Sequence, residues 1–210
     1  VHGRHGRCNS PATGHSAPRV ILHRIERRHG WTMSTLLAAT PTQFAAPQPR
    51  EAPWGLYIHI PFCRRVCPYC DFNVYARQEP LIPAYLAALV RELELIAARW
   101  GPGPVQTIYL GGGTPSLLDP GQVATLLDTI ARTFVVLPGA EVTLEANPET
   151  VDTAKLVGYR SAGVNRLSIG AQTLAPHGLK VLGRAHRPEM PEQAYRAARQ
   201  AGFDNVNLDL

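Results

Sequence analysis

Between Leu56 and Leu210 the sequence alternates short β-type runs with segments of helical period, which limits the fold more than any single motif does. Leu56–Ile60, Gln106–Leu110, Glu141–Ala146, Arg166–Ile169 and Val206–Leu210 read as strands. Ala84–Trp100 reads as a helix with Leu86, Leu89, Val90, Leu93, Ile96 and Trp100 on one face. A second helix starts at Asp119-Pro120-Gly121-Gln122, where Asp caps, Pro takes the first position and Gln reaches back. It packs through Val123, Leu126, Leu127, Ile130 and Phe134. Further helices are expected near Val151–Ser161 and over Pro191–Ala201, the latter ended by Gly202. Such repeats form right-handed βαβ units and a parallel sheet. Without a signal for reversed strand order, the expectation is an α/β protein with a partial parallel (β/α) barrel, truncated after the fifth strand. The final strand has no covering helix, so a fragment with an open apolar edge, poorly soluble or oligomeric alone, is expected.

Composition narrows the functional classes. The chain of 210 residues carries a net charge of +5, but residues 1–50 hold seven arginines and one acid, so the remainder sums to −1. The basic character belongs to the leader, and a nucleic-acid footprint is not supported. Residues 1–53 are expected to be a disordered or spurious extension, with Met33 an alternative start, and residues 54–210 the core domain. Five of the eight histidines lie in that leader without the regular spacing of a metal-binding helix. No apolar run is long enough to span a membrane, and clustered cysteines suit a reducing cytoplasm.

In parallel barrels the chemistry sits at the C-terminal ends of strands. The first strand carries Tyr57 and runs into Cys63, Cys67 and Cys70, a C-x3-C-x2-C cluster. The second runs into Gly111-Gly112-Gly113-Thr114-Pro115, the third ends at Glu145, Asn147 and Pro148, the fourth leads to Gln172, and the fifth contains Asp209. Five polar strand ends on one rim define a site. From spacing alone, the cysteines allow an iron–sulfur cluster with one open iron, a zinc ion with His59 or Cys8 as fourth ligand, or free or paired thiols. The glycine run is neither G-x-G-x-x-G nor a phosphate loop with its lysine; it allows a ligand to approach backbone closely.

Taken together, these motifs resemble the radical S-adenosylmethionine (SAM) superfamily. The runs Leu-Tyr-Ile-His-Ile-Pro-Phe-Cys, Tyr-Leu-Gly-Gly-Gly-Thr-Pro-Ser, Asn-Arg-Leu-Ser-Ile-Gly-Ala-Gln-Thr and Leu-Gly-Arg-Ala-His resemble, more narrowly, the oxygen-independent coproporphyrinogen III oxidase family with its HemW-type haem chaperones. The resemblance implies a [4Fe-4S] cluster on Cys63, Cys67 and Cys70, with SAM on the open iron and cleaved to a 5′-deoxyadenosyl radical by one electron. It implies that Tyr57, Tyr69, Gly112, Gly113, Thr114, Glu145, Gln172, Arg184 and Asp209 line the SAM pocket. In the oxidases some of these positions serve a second SAM.

The oxidases resemble C-x3-C-x2-C-x-C, whereas Phe72 stands at the last of these positions here, as in the HemW-type proteins. The favoured expectation is therefore a chaperone that carries haem to an acceptor protein and takes electrons from a separate donor. The alternative is an enzyme that decarboxylates coproporphyrinogen III. A third reading is an inactive truncated product. His59, His177 and His186 are the histidines in this region that can serve as axial haem ligands.

Overall fold

The computed structural model describes residues 52–210 with their side chains, together with the backbone of Val20–Arg24. The chain-order elements are β1 (Val20–Arg24), β2 (Trp54–Ile60), β3 (Phe62–Cys63), β4 (Tyr75–Ala76), α1 (Ile82–Trp100), β5 (Pro104–Gly112), α2 (Pro120–Thr133), β6 (Val135–Ala146), α3 (Thr153–Ser161), β7 (Arg166–Gly170), α4 (Pro176–Val181), α5 (Met190–Gln200) and β8 (Asn205–Asp209). One sheet runs in the order β1-β2-β5-β6-β7-β8. β1 joins β2 antiparallel, and all other neighbours in this sheet are parallel. Within residues 1–53, β1 is the described element; the remainder of the expectation for that segment lies outside the described residues.

From β2 onward the strands follow chain order without reversal, so right-handed crossovers place the helices on one face. α1 packs on α2, α2 on α3, and α3 on α5. This is the expected α/β arc of five parallel strands. The helix-facing side chains, among them Leu56, Ile58, Ile60, Ile108, Leu110, Leu144, Leu167 and Ile169, are buried with Leu89, Leu93, Leu126, Ile130, Leu156 and Tyr159. Strand alternation then sends every second residue to the opposite face.

That opposite face is polar. Tyr57, Tyr109, Thr143, Arg166 and Asn205 lie in register across the five strands. Glu145, Ser168 and Asn207 form the next layer, and Gly170 and Asp209 pair above it. The sequence thus codes an apolar side for the helices and a polar side opposite it.

Most expected elements stand within a few residues of their predicted bounds, including the α2 start, where the Asp119 N–H donates to Gln122 Oε1 at 2.8 Å. Besides β1, three features differ. β6 begins at Val135 rather than Glu141, because Val135–Val136 pair with Pro104–Val105 ahead of a register shift. The cysteine segment contains the two-residue ladder of β3 and β4. The six residues of α4 bury only Leu179 and show no helical apolar period. Among the described residues, no helix is long and apolar enough to cross a membrane.

Candidate cluster and cofactor site

The cysteine loop grows directly from β2. Cys63 is buried, Cys67 and Cys70 are half-buried, and all three are free thiols. A turn is closed by Cys70 N donating to Cys67 O at 3.0 Å. Thr114 Oγ1 donates to Cys63 Sγ at 3.5 Å. Burial pushes the Cys63 thiol above its ordinary range, against the Thr114 hydrogen bond. His59 braces the loop from below: its Nε2 faces Asn73 O at 2.8 Å, its Nδ1 meets Tyr57 Oη at 3.3 Å, and its carbonyl accepts from Tyr85 Oη at 2.7 Å.

The glycine turn is stitched to the same loop. Gly113 N donates to Ile60 O and Thr114 N to Phe62 O, both at 2.8 Å. A Cβ on Gly113 would stand 2.7 Å from Phe62 O and 2.9 Å from Ile60 O, so only glycine permits this approach. Gly112 has φ +114°, and a Cβ there would lie 2.5 Å from the His59 ring. Its N–H donates to Glu145 Oε2 at 3.0 Å, while Tyr109 Oη donates to Oε1 at 2.7 Å. Burial, with that hydrogen bond next, pushes the Tyr109 phenol far up, so it remains a donor.

The far wall is organised by Asn147 and Arg184. Asn147 Nδ2 donates to Thr114 Oγ1 at 3.1 Å, and its Oδ1 accepts from Arg184 Nη2 at 2.7 Å. Nη2 also reaches Gly170 O at 2.7 Å, and Nη1 lies 3.9 Å from Cys67 Sγ. Arg184 Nε is buried without a hydrogen-bond partner. Gln172 Nε2 donates to Asp209 Oδ2 at 3.0 Å.

These groups enclose one cavity of about 360 Å³, the size range of small-molecule sites. Its walls include all three cysteines, Tyr69, Gly112, Gly113, Thr114, Glu145, Gln172, Arg184 and Asp209. Tyr57 is the exception among the expected residues. It lies a layer lower, stacked on Tyr109 at 6.0 Å between centroids. Asn147 was placed on the rim but not among the cofactor-binding residues, and Tyr109 is an organiser that sequence reasoning left out of the site. Both face inward, two residues from Glu145 and Gly111 respectively, so strand alternation was the available signal.

The donor set fits an iron–sulfur cube with SAM. The three free thiols of the loop can each cap a different iron of such a cube. Arg184 lines the same wall, and its guanidinium places a positive charge there suited to an anionic group. His59 has both ring nitrogens engaged, and His186 is buried with Nε2 on Ala171 O at 3.1 Å. Neither is free to serve as an axial haem ligand; His177 is exposed on α4.

A sequence profile of the radical SAM superfamily matches residues 57–210, and the chain belongs to that superfamily. It is 46% identical over 168 residues to the heme chaperone HemW of Mycobacterium tuberculosis, covering 79% of this chain and 43% of that protein. It is 44% identical over 159 residues to the Escherichia coli heme chaperone HemW, covering 75% and 42% respectively. The chain therefore spans about two fifths of the length of these curated relatives. The solved structure of E. coli coproporphyrinogen III oxidase (HemN), a radical SAM enzyme, superposes with a TM-score of 0.68 at 32% identity, over 73% of this chain and 36% of that one.

Proposed function

We propose that this chain is the cofactor-binding core of a HemW-type haem chaperone. Cys63, Cys67 and Cys70 hold a [4Fe-4S] cluster, and the glycine turn, Glu145, Gln172, Arg184 and Asp209 hold SAM beside it. When bound, the cluster supplies single electrons to SAM. The chain's own work is positional: Gly112 and Gly113 offer backbone at close range, the Arg184 guanidinium supplies a positive charge beside the cavity for a carboxylate, and Glu145 and Asp209 accept from hydroxyl or ammonium groups. Haem is the cargo, an acceptor protein its destination, and a separate donor the source of electrons. A reducing cytoplasm keeps the three thiols available for iron.

Phe72 carries the choice between chaperone and oxidase. It lines the cavity mouth, 68% exposed, where the oxidases have a further cysteine. An oxidative decarboxylation of coproporphyrinogen III is the second reading, favoured by the structural likeness to HemN. The test is to supply the reconstituted protein with SAM, reductant and coproporphyrinogen III, and in parallel to titrate it with hemin. The chaperone reading expects a Soret shift on hemin addition and no decarboxylated product; product formation reverses the choice.

A further inference from the structure

We infer that His186 is a positioning residue for the Gln172–Asp209 wall of the site, acting through the Ala171 carbonyl. Gln172 has φ +64°, a left-handed value that a side chain rarely adopts. Thr173 N donates to Ala171 O at 2.7 Å across it, which closes a γ-turn, a rare and strained turn when φ is positive. The turn aims Gln172 at the neighbouring strand: its backbone N donates to Asp209 O at 2.7 Å and its side-chain Nε2 to Asp209 Oδ2 at 3.0 Å.

A turn of this kind persists only where its surroundings hold it. His186 supplies that hold. It is buried, and its Nε2 lies 3.1 Å from the same Ala171 oxygen, so the carbonyl that closes the turn accepts on both lone pairs. The Nδ1 side faces Glu149 Oε2 at 3.6 Å, and neither atom has another hydrogen-bond partner. The segment between His186 and Arg184 is one residue long, so the same anchor that fixes the turn also fixes the Arg184 approach to Asn147 and Gly170. His186 is not itself a lining residue; it meets the cavity wall through Glu149, and its influence on the Gln172 turn passes through Ala171.

The inference rests on the reading of the cavity as a SAM site, and its test separates the two. His186→Gln keeps a donor where Nε2 stands, whereas His186→Phe fills the space without one. Hydrogen exchange on the cofactor-free protein reads the turn directly. The Thr173 amide, which donates to Ala171 O and closes the turn, is expected to keep its protection in the Gln variant and to exchange roughly threefold to tenfold faster in the Phe variant. Equal protection in all three proteins overturns the positioning role, whatever binds in the cavity. Isothermal titration of SAM into the reconstituted proteins then reads the consequence. A dissociation constant raised roughly threefold to tenfold in the Phe variant and restored in the Gln variant, with iron content unchanged, supports it. SAM affinity unchanged in the Phe variant despite a loosened turn overturns the link to the cofactor. Absence of SAM binding by the unaltered protein refutes the cavity reading and leaves the exchange result to decide the turn.

Discussion

Tyr109 Oη and Glu145 Oε1 meet at 2.7 Å on the polar face of the sheet, and the second carboxylate oxygen accepts from Gly112 N at 3.0 Å. Two adjacent strands and the glycine turn are thereby tied through one carboxylate. Removing the phenol oxygen leaves Glu145 with one anchor. Tyr109→Phe is expected to weaken SAM binding about fivefold, the equivalent of one hydrogen bond of ~1 kcal/mol, without loss of iron. Equal affinity in titration calorimetry would show that Gly112 alone holds the carboxylate.

Gly113→Ala introduces a Cβ 2.7 Å from the Phe62 carbonyl, and backbone does not give way as a side-chain tip would. The Gly113 N to Ile60 O bond is the one broken first. The expected cost is about 1–3 kcal/mol of stability, with poor cluster retention, because Cys63 follows Phe62 directly. Urea denaturation with iron analysis checks this; a stable variant with full iron would contradict the stitched-loop geometry.

Stability should also depend on pH through His186. Burial, then the Arg184 guanidinium, push this imidazole below the ordinary histidine range; Glu149 and the Ala171 carbonyl oppose them, and Arg65 adds a smaller push down. The folded protein therefore resists a proton that the unfolded chain takes up near ~6.5. The stabilisation is complete above that value and is lost as pH falls toward the lower folded value. Urea midpoints of the cofactor-free protein at pH 7.5 and 5.5 are expected to fall further for the unaltered protein than for His186→Gln. Parallel declines would exclude His186 as the source.

Much of this architecture was legible in the chain. Strand ends gave the rim because polar residues interrupt apolar alternation there, and Gly111 to Thr114 announced a close backbone approach. What was not legible depends on contacts far apart in sequence. Asn147 links Thr114 to Arg184, and Tyr109 reaches Glu145 across a strand pair. Tyr57 shows the reverse: the family resemblance implied a place on the cavity wall, yet the stack on Tyr109 holds it a layer below. His186 carried no helical or strand period to mark it as buried. β1 was missed because its partner strand, β2, lies 30 residues downstream of Arg24 at Trp54.

The central claim is that three cysteines and the surrounding wall form one cluster-and-SAM site. The most direct measurement is electron paramagnetic resonance of the anaerobically reconstituted, reduced protein before and after SAM, with Cys67→Ala alongside. The account predicts about four irons per chain, a cluster signal that shifts when SAM is added, and loss of both in the variant. An unshifted signal, a zinc-loaded protein without iron, or a Cys67→Ala variant with the same cluster would contradict it.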